Sequence, residues 1–583
     1  MKNKNTMAKR CVSFALATVM ALSLAGCKAG GNDGSQPGSG TAGQSQTGQA
    51  PGGAAGEKIV NIGVTNTLNT LNPLLMDGME MNKYATGLMF LPLMELDKDM
   101  NFEGMLADSV TAEDDRNFLV HIDDKAVWSD GKPVTADDVV YTALRICSPA
   151  IGNMAMMYYV FEGVGDDGFV EEGADHVEGI TKVDGKTVRF TTKAPMSLIT
   201  FNSSYARYLM TLPKHVIENM SEQELMSDPW FNRPDVVSGP YKVTEFDRDH
   251  YVSYEANENY WKGAPKIDRL NIKIVEGSQL YAGLKSGEID VTQNTMSAIP
   301  LEDYESIQAL ENVTASFGEP ITNQSVFINT ASITDARVRQ AMVYAIDRGQ
   351  ILEQLLKGYG EVSEGFLSSA SPYYDDTITP LPYDPEKAKS LLEESGWDRN
   401  RTIKFSINSD DSTFVNAASV IAAQWASVGI KAEIQTMDIN TLMANASKGD
   451  FDVMAIQYTY PPVDPYADVA WLLGGGGSWT GYGNDRINEA LSKVSLTDDV
   501  GQLKELYSIV DRQVQEDVPM FSAYIIKTMA GVNRQELGGA PKNTLADLID
   551  TNTKLYLPPM PNLYFTRDPF ACIGNGVSVN RMY

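Results

Sequence analysis

A chain of 583 residues is longer than one hydrophobic core can serve, so at least two bodies are expected, and 43% hydrophobic with 21% charged residues places it among ordinary globular proteins. The formal net charge of −29 is spread along the chain. It argues against a nucleic-acid partner, whose binding needs Lys and Arg set against phosphates, and no polybasic stretch offers a grip on anionic lipid.

The first residues supply a different route to a membrane. Lys2, Lys4, Lys9 and Arg10 precede an apolar run from Cys11 to Ala25, the pattern of an export signal and too short for a comfortable transmembrane span. Leu24-Ala25-Gly26-Cys27 resembles the bacterial lipobox, in which the cysteine is acylated and becomes the mature N-terminus. Loss of residues 1–26 would remove four positive and no negative charges, moving the net charge from −29 to −33. Residues 28–56 are almost wholly Gly, Ser, Gln, Ala, Thr and Pro, a composition that cannot bury a core and suits a flexible tether. Beyond Cys27 only Cys147 and Cys572 remain, and they can be paired or separately buried.

Lys58–Thr65 alternates apolar and polar residues and predicts a strand. Leu119–Ile146 predicts a strand, a Ser129-Asp130-Gly131 turn and a helix with Thr135 as N-cap and Asp138 as its capping-box partner, so these aspartates need no catalytic or metal role. Val183–Thr192 and Gly239–Ala256 predict hairpins, and Arg269–Gln293 a strand, a helix ending near Gly287 and a strand. Farther on, Val338, Met342, Ala345, Ile346 and Gly349 share helical spacing, and the next helix takes Asp384 as cap, Pro385 in its first turn and Gly396 as its stop. The β-α-β-α-β run that follows, through Phe451–Tyr458, predicts a largely parallel sheet.

In such sheets ligands sit beyond the carboxyl ends of the strands. Tyr458, Thr459 and Tyr460 fall there, stiffened by Pro461, Pro462 and Pro465, with Trp471 and Trp479 close behind; Asn66 and Thr67 end the first strand. These seven residues are the expected ligand contacts.

No catalytic motif accompanies them. The chain lacks a phosphate-binding loop, a G-x-S-x-G elbow and any H-E-x-x-H, and its four histidines, at 121, 176, 215 and 250, are far apart. No catalytic residue, metal or cofactor is expected. Two acids spaced for glycoside cleavage stay open as an alternative, since their separation is invisible in sequence.

Seven stretches then match one family in order: VWSDGKPVTADDVVYTAL from Val127, LPKHV from Leu212, SGPYKV from Ser238, ANENYWKGAPKIDRL from Ala256, LKSGEIDV from Leu284, FINTASITDARVRQAMVYAIDR from Phe327 and YDPEKAKSLLEESGW from Tyr383. The chain resembles solute-binding protein family 5, the oligopeptide-, dipeptide- and nickel-binding lipoproteins of ABC importers. The resemblance implies an α/β, two-lobed periplasmic-binding-protein-like clamshell of type II, with mixed sheets, flanking helices and an extra subdomain. Lobe I would combine residues 57–90, 200–321 and 523–583, the inserted subdomain would be 91–199, and lobe II would be 322–522. It further implies an exported monomer, lipid-anchored outside the cytoplasm, that hands an oligopeptide or other small solute to a permease with its own ATPase subunits.

One departure bears on the ligand. Peptide-binding members resemble W-x-x-D-x-x-D-P where this chain has Tyr458 to Pro465, and the first aspartate, which pairs with the peptide's amino group, falls on Pro461. That anchor is not carried over, because proline offers a buried ammonium no partner. Asp464 and Asp468 are the nearest substitutes, and an oligosaccharide stacked on the aromatic residues is the alternative ligand.

Overall fold

A computed structural model describes residues 57–533 except 77–78, 98–99, 154, 157, 410 and 476–477. Cys27, the tether, residues 534–583 and Cys572 therefore lie outside the described residues, while Cys147 is buried and unpaired.

Two large sheets organise the chain. The first has seven strands in the order Val313–Phe317, Met529–Asn533, Val291–Thr292, Ile59–Val64, Arg269–Ile274, Tyr251–Ala256, Tyr241–Asp247. Ile59–Val64 runs parallel to both its neighbours, and the predicted hairpin 241–256 closes one edge in antiparallel register. The predicted strand-helix-strand from Arg269 is present, its helix Gly277–Ser286 ending on Gly287 in the left-handed conformation.

The second sheet has six strands, in the order Gly360–Glu361, Met520–Ile526, Thr322–Ile328, Val453–Thr459, Thr402–Asn408, Lys431–Met437. The β-α-β-α-β run behaves as expected, with Thr402–Asn408 parallel to Lys431–Met437 and to Val453–Thr459. The sheet as a whole is mixed rather than largely parallel. Thr322–Ile328 lies antiparallel to both Val453–Thr459 and Met520–Ile526. The reason is topological: the chain enters this sheet from the first through Thr322–Ile328 and returns through Met520–Ile526, so the two strands pass the same end in opposite directions.

Local signals were obeyed where side chains close their own hydrogen bonds. Helix Ala136–Ile146 carries the Thr135–Asp138 capping box, with Thr135 N–H donating to Asp138 Oδ2 at 2.8 Å, and Gly131 turns the preceding corner at a φ of 84°. Asp384, Pro385 and Gly396 bound helix Pro385–Ser395 as predicted. The helix spacing read across Val338–Gly349 fails. Two helices, Ala336–Tyr344 and Arg348–Gln354, replace one, because Asp347 leaves helical geometry to cap the second by accepting from Gln350 N–H at 2.8 Å.

A separate antiparallel sheet of four strands, Ala107–Ala112, Asn117–Ile122, Thr187–Thr191 and Ile180–Lys182, packs with helix Ala136–Ile146 around the fully buried Trp128 and Phe118. One continuous core joins it to the seven-stranded sheet, whereas the six-stranded sheet has its own apolar layers on its two faces.

Candidate ligand-binding site

A cavity of about 740 Å³ lies between the two large sheets. It is built from strand ends. Asn66 follows Ile59–Val64, Asn294 and Thr295 follow Val291–Thr292, Asn408 ends Thr402–Asn408, and Gln457 with Thr459 ends Val453–Thr459. These are the carboxyl ends of strands in the parallel portions of the sheets, where side-chain and main-chain polar groups are left over from the ladder. Thr322 and Gln324 join them from the antiparallel neighbour, and Asp411 to Phe414 from the start of helix Ser412–Val428.

The polar groups here are unusually poorly partnered. Asn294 is 3% exposed with neither side-chain atom hydrogen-bonded, and Gln324 is 1% exposed with its Oε1 free. Buried amides in this state cost about 1–3 kcal/mol each unless something else satisfies them. A polar ligand between the sheets would do so.

Two of the seven expected contacts reach the cavity, Asn66 and Thr459. Thr67 is exposed and does not line it. Tyr458, Tyr460, Trp471 and Trp479 are a correction: none lines it. Tyr458 lies within strand Val453–Thr459 rather than past its end, and successive strand residues point to opposite faces, so Gln457 and Thr459 take the cavity face while Tyr458 and Tyr460 take the other. On that far face Tyr458 and Tyr460 sit with ring centroids 4.8 Å apart, Trp479 packs on Phe327 at 5.4 Å, and Trp471 meets Trp479 edge-on at 4.8 Å. Trp471 belongs to helix Tyr466–Leu473, which the prolines precede, not to the loop.

Tyr460 is consequently a core residue, 4% exposed, with its hydroxyl 3.4 Å from that of Ser325. Tyr460→Ala is expected to lose about 3–5 kcal/mol in a denaturant melt. A variant as stable as the parent but impaired in binding would return Tyr460 to the site.

The two substitute acids are also away from the cavity. Asp468 accepts the Tyr458 hydroxyl at 2.5 Å. Asp464 is half-buried beside Ser197, Thr200, Tyr373 and Tyr507, where desolvation pushes its carboxyl up to about 6 against the Tyr466 N–H and Thr200.

Sequence reading missed the acids that do line the cavity. Asp411 caps helix Ser412–Val428 by accepting from Phe414 N–H at 2.9 Å, and Gln457 Nε2 donates to it at 3.1 Å. Burial pushes its carboxyl up despite these bonds. Glu80 starts helix Glu80–Gly87; Lys83, one turn on, is fixed with Arg207 to the buried Glu95, at 3.0 and 2.5 Å. No cluster of His, Cys, Asp or Glu fit to hold a metal occurs among the described residues.

Two sheets facing one polar cleft, joined by strands that cross between them, define a binding protein of the clamshell class. The bacterial extracellular solute-binding family 5 model matches residues 101–480, and the chain belongs to that family. It is 25% identical to the oligopeptide-binding protein AppA of Bacillus subtilis over 74% of this chain and 80% of that protein, and 25% identical to the dipeptide-binding protein of Escherichia coli over 70% and 78%. The ABC transporter substrate-binding protein CtaP from Listeria monocytogenes has the same fold, with a TM-score of 0.70 at 23% identity, covering 82% of this chain and 94% of CtaP. The fold is thus the type II periplasmic-binding clamshell.

An arginine deiminase family model also matches residues 489–583. That span contains one cysteine, Cys572, and no histidine. Its described part forms helix Val500–Asp517 and the strands Met520–Ile526 and Met529–Asn533, which pair into the six- and seven-stranded sheets respectively.

Proposed function

We propose that this protein is the extracytoplasmic receptor of an ABC importer, that it closes on a peptide in the cleft between the two sheets, and that it passes the peptide to a permease whose own subunits hydrolyse ATP. The observation that carries this is the cleft itself, supplied by strand ends of both sheets and holding buried, unpartnered amides. The relatives named for oligopeptide and dipeptide binding support the ligand class. Lobe I would be built on the seven-stranded sheet, with the four-stranded sheet as its inserted subdomain, and lobe II on the six-stranded sheet.

Movement between them has a natural axis. The chain crosses at residues 318–321 and again at 527–528, and Gly318 N–H donates to Thr528 carbonyl at 2.9 Å. Two short extended segments tied together can absorb a rotation while leaving both sheets rigid. Ile526 and Thr528 line the cleft, so a ligand would touch the axis as the lobes close.

The lipobox-like Cys27 supports an acylated anchor outside the cytoplasmic membrane, with residues 28–56 as tether to a monomeric body. Binding without turnover is the reading for the whole chain. The oligosaccharide alternative relied on aromatic faces that do not line the cleft, and loses its support with them.

Native mass spectrometry of the purified protein tests the reading, because a closed receptor retains its ligand. A series of co-purifying peptide masses is expected. A hexose-spaced series, or hydrolysis of a peptide library on incubation, would overturn it.

A further inference from the structure

Three of the described residues lining the cleft carry a formal charge, Glu80, Glu302 and Asp411, and all three are acids. No Lys, Arg or His lines it. The asymmetry is more than a surface bias of an acidic protein, because two of the acids line the cavity from the starts of helices far apart in the chain, Glu80 in Glu80–Gly87 and Asp411 before Ser412–Val428.

Glu80 has one oxygen engaged and one unpartnered. Oε1 accepts from the Tyr208 hydroxyl at 3.4 Å, while Oε2 is shut off from solvent and has no hydrogen-bond partner. Lys83 and Arg207 stand behind it, bound to Glu95 and off the cleft. Burial holds the Glu80 carboxyl above its usual range, and those two cations reduce the rise without cancelling it. The lining of the cleft therefore includes Glu80 and not the two cations beside it.

Asp411 lines the same cavity from the start of helix Ser412–Val428. The N-terminus of a 17-residue helix would ordinarily draw an anion, but Asp411 already occupies it. Its two oxygens each accept one of the bonds described above, and a carboxylate oxygen can accept a second. Asn294 and Gln324, buried and unpartnered, lie on the same walls and suit a peptide main chain.

We infer that the cleft selects cationic peptides, ligands with at least two positive groups, anchored on Glu80 from one lobe and Asp411 from the other. This rests on the peptide-receptor reading and narrows it. A ligand carboxylate inside the cleft would meet two acids and no base, so acidic side chains are disfavoured by charge and by desolvation.

The test is calorimetric titration of the full protein, first washed at high ionic strength, with trilysine amide, trialanine amide and triglutamate amide. Trilysine amide should bind at least about 10-fold more tightly than trialanine amide, an advantage that shrinks as salt is raised, and triglutamate amide should not bind measurably. Glu80→Gln and Asp411→Asn should each weaken trilysine amide about 10- to 100-fold, and weaken trialanine amide, which has a single positive group, by a smaller factor. If Glu80→Gln does not fold, Asp411→Asn, which keeps a helix-capping side chain, and the salt dependence of the parent carry the test. Trialanine or triglutamate amide binding as tightly as trilysine amide would overturn the charge selection and leave a peptide receptor standing. Failure of all three to bind would overturn both.

Discussion

Glu95→Gln is expected to lower folding stability by about 3–5 kcal/mol, the cost of stranding buried charge. Glu95 is 2% exposed and is held by Lys83 Nζ at 3.0 Å, Arg207 Nε at 2.5 Å and the Leu96 N–H at 2.9 Å. Burial pushes its carboxyl up, but the two cations and the Leu96 N–H outweigh it and hold the group ionised, below the usual range. A neutral amide keeps the volume and removes the charge, leaving two buried cations with Glu80 alone. Adding Lys83→Met should recover part of the loss, since one stranded cation then disappears. Urea melts of the single and double variants measure both steps. A single-variant loss below about 1 kcal/mol would mean that the cluster is already neutral or hydrated. Because Lys83 and Glu80 share a helix, the same variant should also weaken binding of a cationic ligand.

Asp464→Asn is expected to stabilise the protein at neutral pH and to leave it unchanged in acid. Asp464 lies against Thr200 of the short helix Leu198–Phe201, whose first N–H groups are taken by Asp498, with Asp468 also near and Tyr373 and Tyr507 beside it. Burial raises its carboxyl from 3.8 to about 6, so the folded state holds a proton that the unfolded chain releases. Below about pH 4 both states are protonated and nothing is lost. As pH rises towards 6 the unfolded chain gains from ionising, and above the folded value the full penalty, about 3 kcal/mol, is present. Asparagine carries no such charge and can still accept from the Tyr466 N–H. Melts of parent and variant between pH 4 and 8 should diverge upward from about pH 4 and level off above about 6. Parallel curves would mean that water reaches Asp464 and relieves its burial.

What could be read from the chain depended on the range of the interaction. The Thr135–Asp138 box, the Asp384-Pro385 start and the hairpin at 241–256 close within a few residues, so their signals are complete in sequence. The rule that ligands sit at strand ends also pointed to Asn66 and Thr459, and both line the cleft. Applied to the ends of Val291–Thr292 and Thr402–Asn408 it would have found Asn294 and Asp411 as well. It misfired on Tyr458 and Tyr460 because aromatic content was weighed above strand alternation, which alone divides residues 457–460 between two faces. Glu80 gave no signal, for its helix of eight residues is too short to display a period.

The sequence by itself determined most local elements, the Thr135 and Asp384 caps and, through seven ordered matches, the family. Only the tertiary structure decided which face of a strand meets the ligand, which acids stand in the cleft and which lie behind it. Those outcomes depend on pairing between segments far apart in the chain, such as Thr322–Ile328 with both Val453–Thr459 and Met520–Ile526, and on the burial that such pairing imposes. An aspartate reads the same at 411 and 464; the folded surroundings put one in the wall of the cleft and the other beside Thr200 and Tyr507, away from it.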